Sequence, residues 1–253
     1  MRVIQSGHIG DLIYSLSATK RASELHGEKI DFHIGFREPN GTPNHPGGGY
    51  CMNPISYAYI KPLLEFQPYI QSVQMNSHAD IVYDFDKFRR HELNLSAGDL
   101  RRNHFFVYPE LTCDLTQPCV IAPKPIEELN ETILLNFSTR YRNNDINYKC
   151  LKDHKCIFFG YEEEYHAFCT RFQLDCEHLK VRDALALAQV INSVKLVIGN
   201  QSSTFALAEQ MKVKRMLESY HNCPNVIPMG GVAYDYNKNY TFQKILNELI
   251  DIN

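Results

Sequence analysis

The sequence predicts an α/β protein built from two Rossmann-like domains. Along all 253 residues, short apolar segments typical of strands alternate with longer segments whose apolar residues recur at helical spacing. Strands that alternate with helices indicate parallel sheets joined by crossover helices. A stretch with three prolines and few strand signals, 117–131, divides this pattern into two similar halves. We therefore expect a first domain over 1–125 and a second domain over 126–253.

The first half contains one clear helix and several strand-like segments. Residues 10–26 carry an apolar stripe at helical spacing, and Gly27 suits the end of that helix. The segment 37–54 is rich in proline and glycine and is expected to be a long loop, and a helix is expected in the second half of 54–66. The predicted strands are 2–5, 30–36, 70–75, 81–85 and 105–108.

The second half repeats this alternation more regularly. Its most apolar strand, 195–199, is followed by small polar residues, among which Ser202 suits the N-cap of the next helix. The predicted strands are 132–137, 156–160, 195–199 and 215–218. The predicted helices are 162–172, 182–192, 202–211 and 241–250.

The composition excludes several classes of protein. Hydrophobic residues make up 44% and charged residues 22%, as in ordinary globular proteins, and the net charge of −3 provides no basic surplus for nucleic-acid binding. No apolar run approaches the roughly 18 residues that a membrane span needs, and the N-terminus lacks the apolar stretch of a signal peptide. We therefore expect a cytoplasmic protein without a transmembrane segment. Peripheral contact with a membrane and the oligomeric state stay open.

The cysteines are expected to be reduced thiols. Eight cysteines occur, and none of them forms a C-x-x-C pair. A long chain without an export signal favours free thiols over disulfides, and zinc sites usually show tighter paired spacings. The cysteine pattern therefore predicts no zinc site, and no resident cofactor is expected for the chain.

The turn after the first strand holds a candidate general base. In open α/β sheets, ligands bind beyond the carboxyl ends of the strands. Gly7 and Gly10 allow a tight turn there, although their G-x-x-G spacing is not the fingerprint of dinucleotide binding. Asp11 either caps the following helix or acts as a general base. His8 lies beside it as a phosphate contact or an alternative base.

Two turns in the second half are rich in donors for an anion. Two hydroxyls and two guanidiniums follow the strand 132–137, and such groups suit a diphosphate: Ser138, Thr139, Arg140 and Arg142. Amides and hydroxyls follow the strand 195–199 and open a helix whose free N–H groups favour an anion: Asn200, Gln201, Ser202 and Ser203. An ordinary polar turn or an N-cap is the alternative in each case.

A third turn in the second half carries a glycine followed by acidic residues. Gly160, Tyr161 and Glu162 stand between a strand and the first turn of a helix. A carboxylate there either complements the helix dipole or accepts hydrogen bonds from the hydroxyls of a ribose.

Two charged groups in the first half leave alternatives open. Asp84 and Asp86 follow an apolar strand, as in metal-dependent sugar transferases. Together with Lys87, Arg89 and Arg90, they alternatively line an acceptor site or form a solvated surface. Arg101 and His104, with the neighbouring Arg102, either bind an anionic acceptor or form a solvated surface.

Taken together, these turns resemble the ADP-heptose:lipopolysaccharide heptosyltransferase family. Gly10-Asp11 before an apolar helix is similar to the opening of that family, and 197–208 (VIGNQSSTFALA) is similar to its strand–Asp–[ST]–Gly–x–x–His–Leu–x–A element. The resemblance implies the GT-B architecture, in which two Rossmann-like domains face a central cleft. Asn200, Ser202 and Phe205 stand where the family has Asp, Gly and His, so the resemblance does not identify the donor.

The resemblance also implies inverting, metal-independent transfer of a sugar from a nucleotide-diphosphate sugar to a hydroxyl of a glycan or another acceptor. Asp11 is then the general base. The implied contacts to the donor diphosphate come from Ser138, Thr139, Arg140, Arg142, Ser202 and Ser203. The implied contacts to the nucleoside come from Gly160, Tyr161, Glu162, Asn200 and Gln201. The remaining cleft and acceptor candidates are His8, Gly10, Asp84, Asp86 and Arg89.

Three other functions fit parts of the sequence. The changes at Asn200 and Phe205 permit a non-catalytic module that binds a nucleotide or nucleotide sugar. A sugar-nucleotide epimerase would have the same architecture. A Mn²⁺-dependent transferase would use Asp84 and Asp86. The fold by itself does not choose among these functions.

Overall fold

The computed structural model of the protein describes residues 1–36, 51–75, 80–91 and 93–251. They form two sheets of parallel strands with helices between the strands. This arrangement confirms the predicted α/β class with crossover helices. Most of the predicted loop at 37–54 lies outside the described residues.

The first sheet lies in the N-terminal half of the chain. Its strands, β1 to β4, are Arg2–Gln5, Ile30–Ile34, Ile70–Met75 and Tyr83–Asp84. The helices of this half, α1 to α3, are Ile9–His26, Pro54–Glu65 and Leu100–Val107. The strand order is β3–β2–β1–β4, so the turn from β1 to α1 lies beside the end of β4.

The second sheet lies in the C-terminal half. Its strands, β5 to β10, are Ile133–Asn136, Cys156–Phe158, Glu177–His178, Leu196–Asn200, Arg215–Glu218 and Ala233–Tyr236. Its helices, α4 to α7, are Glu162–Phe172, Ala184–Ser193, Ser203–Met211 and Asn239–Asp251. The order β10–β9–β8–β5–β6–β7 makes β5 and β8 neighbours, so the turns that follow these two strands lie together.

Side-chain caps determine where two helices begin. Asn53 Oδ1 accepts a hydrogen bond from the Ser56 N–H at 2.8 Å, and Pro54 occupies the first turn of α2. The helix therefore spans all of Pro54–Glu65, whereas the sequence predicted only its second half. Ser202 Oγ accepts from the Phe205 N–H at 3.2 Å and caps α6 as predicted.

One predicted strand is wrong. The segment 105–108 belongs to the end of α3 and not to a strand. Its aromatic and β-branched residues favour a strand locally, but Asp99 caps the helix by accepting the Arg101 N–H at 3.0 Å, and α3 packs against α1. The predicted strand 81–85 is reduced to Tyr83–Asp84, and the short β7 and β10 were not predicted.

One hydrophobic core extends from the first sheet to one face of the second sheet. It includes Leu12 and Ile34 from the N-terminal half together with Leu134 and Leu207 from the C-terminal half. A separate core on the opposite face of the second sheet holds α7, through residues such as Phe242. The two halves therefore share buried apolar surface along α1 and α6.

Gln210 on α6 links the two halves through buried hydrogen bonds. Its Nε2 donates to the Ile13 carbonyl of α1 at 2.9 Å, and its Oε1 accepts from Ser17 Oγ at 3.0 Å. Its backbone carbonyl accepts the N–H groups of Cys119 and Val120, which lie in the connecting segment. Side chain and backbone of one residue thus bind α6, α1 and the connection together.

A largely buried network of charges joins α3 to α6. The Glu209 carboxylate accepts hydrogen bonds from three cationic groups: Arg101 Nη1 at 2.5 Å, Lys212 Nζ at 2.5 Å and Arg215 Nε at 2.6 Å. Arg101 also donates twice to Asp99, at 2.6 and 2.8 Å. Because Arg101 has no exposed surface, neither the acceptor site nor the solvated surface considered for it is correct. Its role is to connect the two halves.

Two further observations concern the chain as a whole. In the part of the chain that the structure describes, no helix is long and apolar enough to cross a membrane. All eight cysteines are free, and the described residues contain no group of three or more side chains arranged to hold a metal ion.

Candidate active site

Asp11 lies in the first turn of α1, facing Arg89. Its Oδ2 accepts hydrogen bonds from the His8 N–H at 3.2 Å and from Arg89 Nη2 at 2.7 Å. A Cβ atom at Gly7 would lie 2.7 Å from Asp11 Cβ and 2.9 Å from Arg89 Nη2, so only glycine leaves room for this pair. The Asp11 side chain keeps 19% of its surface exposed, and Oδ1 has no hydrogen-bond donor among the described residues. The carboxylate is thus fixed through one oxygen and open at the other.

His8 is affected by the charges of the candidate base and of two arginines, Arg89 from the first half and Arg140 from the second. Burial lowers its pKa below the usual value, the Asp11 carboxylate opposes that shift, and the guanidiniums of Arg140 and Arg89 add to it. His8 Nε2 also lies 3.8 Å from the Cys51 Sγ. The charge of Arg140, in the loop after β5, thus acts on the turn after β1.

Asp84 and Asp86 both face arginines. Arg90 Nη2 lies 3.4 Å from Asp84 Oδ2, and Arg89 Nε lies 3.8 Å from Asp86 Oδ1. The Asp86 N–H donates to Asp84 Oδ1 at 2.9 Å. Because Arg89 lies near Asp86 and also binds Asp11, the segment 84–90 fixes the position of the Asp11 carboxylate.

Asn200, at the end of β8, fixes the loop after β5 through hydrogen bonds. Asn200 Nδ2 donates to the carbonyls of Ser138 at 2.9 Å and Arg140 at 2.6 Å, and Oδ1 accepts the Ser138 N–H at 3.0 Å. Asn200 has no exposed surface. Its predicted contact with a nucleoside is therefore not supported by its position: the amide shapes the loop.

Gln201 supports the segment that follows β9 in a similar way. Its Nε2 donates to the Cys223 carbonyl and to Asn225 Oδ1, both at 2.7 Å, and its Oε1 accepts the Tyr220 N–H at 3.1 Å. All of its polar atoms are thus used within the protein. The predicted nucleoside contact is no better supported for Gln201 than for Asn200.

The two arginines of the β5 loop have different environments. Arg142 lies over the Phe137 ring at 4.8 Å, and its Nε is 3.3 Å from the buried Glu218 carboxylate. Arg140 is exposed and lies over the Tyr141 ring at 5.5 Å, and the described residues include no carboxylate paired with it. Arg140 is therefore the arginine available to an anion, whereas the predicted diphosphate contact of the Arg142 side chain competes with its ion pair.

Glu164, which the sequence did not single out, connects two of the predicted turns. Its Oε1 accepts the Thr139 N–H at 3.1 Å, and its Oε2 accepts the Tyr161 N–H at 3.1 Å. A Cβ atom at Gly160 would lie 3.1 Å from this carboxylate. Glu162, the predicted ribose partner, is 71% exposed and lies 3.7 Å from His166. The acidic run was the available signal, but only the structure shows which carboxylate faces inward.

The start of α6 contacts the start of α1. A Cβ atom at Gly10 would lie 3.7 Å from the Ser203 Cα, which is ordinary van der Waals contact. Ser202 Oγ already caps the helix, and the Ser203 side chain remains partly exposed. The N-terminal ends of both helices, with their positive dipole ends, therefore meet beside Asp11. This junction brings Gly10, Asp11 and Ser203 together.

His104 on α3 is a buried histidine whose charge interacts with that of Asp11. It packs edge-on against Phe85 and Phe88, and no hydrogen-bond partner among the described residues reaches its Nδ1. Burial lowers its pKa from 6.5 to about 4, although the Asp11 carboxylate opposes the shift. The cost of burying the charged ring thus outweighs the stabilisation that the Asp11 carboxylate provides.

We expect this histidine to make the protein less stable in acid. The unfolded chain binds a proton near pH 6.5 and the folded chain only near pH 4, so stability is lost as the pH falls between these values. From neutral pH to about pH 5 the loss from His104 amounts to about 2 kcal/mol. Urea unfolding at neutral pH and at pH 5 measures this loss of stability. The comparison variant is His104→Leu, which has no titrating group at this position. Equal acid sensitivity of the two proteins would contradict the assignment.

The fold matches solved glycosyltransferase structures over nearly the whole chain. E. coli ADP-heptose LPS heptosyltransferase II superposes with a TM-score of 0.68 at 12% identity, covering 98% of each chain. An E. coli heptosyltransferase solved with ADP gives 0.62 at 11% identity, covering 98% of this chain and 100% of the other. A family 9 glycosyl transferase from Veillonella parvula gives 0.60 at 11% identity, covering 98% and 88%. The chain has the GT-B fold of the heptosyltransferases.

The similarity is one of fold. At the level of sequence, neither a family model nor a curated protein matches the chain. The GT-B fold nevertheless fits the site geometry, because the turns after β1, β5 and β8 meet between the two sheets. The expected domains, 1–125 and 126–253, stay a prediction.

Proposed function

We propose that the protein is a glycosyltransferase that moves a sugar from a nucleotide-diphosphate sugar to a hydroxyl of a glycan or another acceptor. The observation that carries this proposal is the meeting of one open carboxylate, Asp11, with an anion-binding region around Arg140 and the start of α6. Glycosyl transfer needs both features at one place. The first accepts a proton, and the second stabilises a leaving diphosphate.

In the proposed reaction, the acceptor hydroxyl loses its proton to Asp11 Oδ1 as its oxygen attacks the anomeric carbon. The new C–O bond forms while the bond from that carbon to the diphosphate breaks, and the electron pair of that bond leaves with the diphosphate. Attack on the face opposite the leaving group inverts the anomeric configuration. The Asp11 carboxylate, held by Arg89 and the His8 N–H, is already directed for this transfer.

The negative charge that develops on the diphosphate is matched by groups of the second half. Arg140, the hydroxyls of Ser138 and Thr139, and the N-terminal end of α6 at Ser203 provide positive charge and hydrogen-bond donors. Preorganised donors of this kind can take the place of a metal ion. We therefore propose a metal-independent reaction without a resident cofactor, carried out in the cytoplasm.

A panel of nucleotides tests the proposal directly. The first ligand is ADP, because a structurally similar heptosyltransferase was solved with ADP, followed by UDP, GDP, CMP, NAD and S-adenosylmethionine, each with EDTA or with Mn²⁺. One nucleoside diphosphate at 100 times its Kd is expected to stabilise the fold by about 2.7 kcal/mol, equally with EDTA and Mn²⁺. Thermal unfolding measures this change.

The other outcomes point to the alternatives. Stabilisation only with Mn²⁺ would favour the metal-dependent transferase with Asp84 and Asp86. Conversion of a nucleotide sugar without any acceptor would favour an epimerase. Binding without turnover would favour a non-catalytic module. Stabilisation by NAD or S-adenosylmethionine alone would contradict the transferase.

A further inference from the structure

We infer that Asn200 is a positioning residue that turns two backbone N–H groups of the β5 loop, those of Tyr141 and Arg142, toward the donor diphosphate. The inference rests on the proposed function, because it concerns how the same site binds its anion. Asn200 itself is fully buried and cannot touch a ligand. It acts through the loop that it holds.

The hydrogen bonds of Asn200 fix the direction of the loop carbonyls. Its Nδ2 donates to the carbonyls of Ser138 at 2.9 Å and Arg140 at 2.6 Å, with a longer contact to the Tyr141 carbonyl at 3.5 Å. Its Oδ1 accepts the Ser138 N–H at 3.0 Å. Three carbonyls of one short loop thus point at a single buried amide.

The direction of the carbonyls also determines the direction of the N–H groups. In a trans peptide unit, a carbonyl and the following N–H point to opposite sides. The N–H groups of Tyr141 and Arg142 follow the carbonyls of Arg140 and Tyr141, so they point away from Asn200. Neither has an acceptor among the described residues. The next N–H along the chain, that of Asn143, donates to Glu218, and that of Thr139 donates to Glu164.

The backbone of the loop has the form of an anion site. Tyr141 has a φ of +55°, a left-handed conformation that is uncommon for residues other than glycine. Consecutive N–H groups around a left-handed residue form a concave nest that binds anions. The exposed Arg140 guanidinium lies over the Tyr141 ring beside it. The hydrogen bonds to the loop require an amide side chain at position 200, because a carboxylate there would have no hydrogen to donate to the carbonyls.

The test uses inorganic pyrophosphate as the probe and Asn200→Leu as the variant. Leucine has the same branched shape as asparagine, with methyl groups in place of the amide, and no charge, so it removes the hydrogen bonds without repelling the anion. We expect pyrophosphate to bind at least about tenfold more weakly by calorimetry, because both N–H groups lose their orientation toward the charge. Asn192→Leu removes an exposed amide-to-carbonyl hydrogen bond on α5, outside the proposed site, and is expected to leave the affinity unchanged.

The dependence on salt separates orientation of the loop from loss of charge. Asn200→Leu keeps the guanidinium of Arg140, so the slope of log Kd against log salt concentration should stay as in the unmodified protein. Arg140→Ala should flatten that slope. Damage to the fold would not leave the slope unchanged in Asn200→Leu and flattened in Arg140→Ala.

A second measurement needs no change at Asn200. In protein labelled with [¹⁵N]tyrosine, the backbone resonance of Tyr141, identified by its absence in Tyr141→Phe, should shift as pyrophosphate is added. If the Tyr141 resonance does not shift, or if Asn200→Leu binds pyrophosphate as tightly as the unmodified protein does, the inference is wrong while the proposed function stands. If nucleoside diphosphates bind but pyrophosphate does not, the inference also fails while the proposed function stands. If neither binds, both fail.

Discussion

Replacement of Asp11 by asparagine is expected to lower kcat for sugar transfer by 10²- to 10⁴-fold, the contribution of a general base. Asparagine has nearly the same shape and can still accept the His8 N–H, so the turn after β1 should keep its conformation. It cannot accept a proton from the acceptor hydroxyl. The affinity for the nucleoside diphosphate should stay unchanged, because the groups proposed to bind the diphosphate lie in the other half.

The measurement is the release of nucleoside diphosphate in the presence of acceptor, together with calorimetric binding of the same nucleotide. Glu24→Gln is the matched control, because it removes a carboxylate from the same helix where Glu24 lies on the surface beside Lys20 and Arg21. It should retain full activity. Full activity of Asp11→Asn would show that another group, with His8 as the first candidate, takes the proton.

Replacement of Glu209 by glutamine is expected to lower the free energy of unfolding by about 3–5 kcal/mol. The neutral amide has the same size but cannot balance the charges that surround it, those of the fully buried Arg101 and Arg215 and of the largely buried Lys212. Buried cations that lose their partner are far more costly than an exposed ion pair that is broken.

Urea unfolding followed by circular dichroism measures this loss. Glu131→Gln serves as the comparison: its ion pair with Lys195 has a similar distance of 3.2 Å, but Glu131 is 73% exposed. That variant should lose no more than about 1 kcal/mol. Equal effects of the two substitutions would mean that the buried network contributes little to stability.

The sequence predicted the positions of the chemical groups better than their environments. The turns at Asp11, Ser138 and Ser202 were found because glycines, hydroxyls and the ends of apolar strands mark them locally. The crossover pattern then fixed which ends of the strands would meet. Local signals of this kind suffice for the outline of the fold and for the edge of the sheets where the site lies.

The supporting side chains could not be found in this way. Whether Arg140 or Arg142 faces the cleft depends on Glu218, which is 76 residues away from Arg142 along the chain and becomes its partner only in the folded protein. Glu164 looks like its exposed neighbour Glu162 in the sequence and differs only in which side of α4 it occupies. Long-range partners decide these roles, and the segment 105–108 became helix for the same reason.

The shared core and Gln210 have a consequence for how such a chain can change in evolution. Two-domain proteins are often treated as modules that recombination can exchange at the connecting segment. Here an exchange after residue 125 would separate Gln210 from its partners Ile13 and Ser17, and Glu209 from Arg101. A foreign half would have to bring matching groups at each of these positions. The two halves are therefore expected to diversify together, through their loops, and not by trading one half for another.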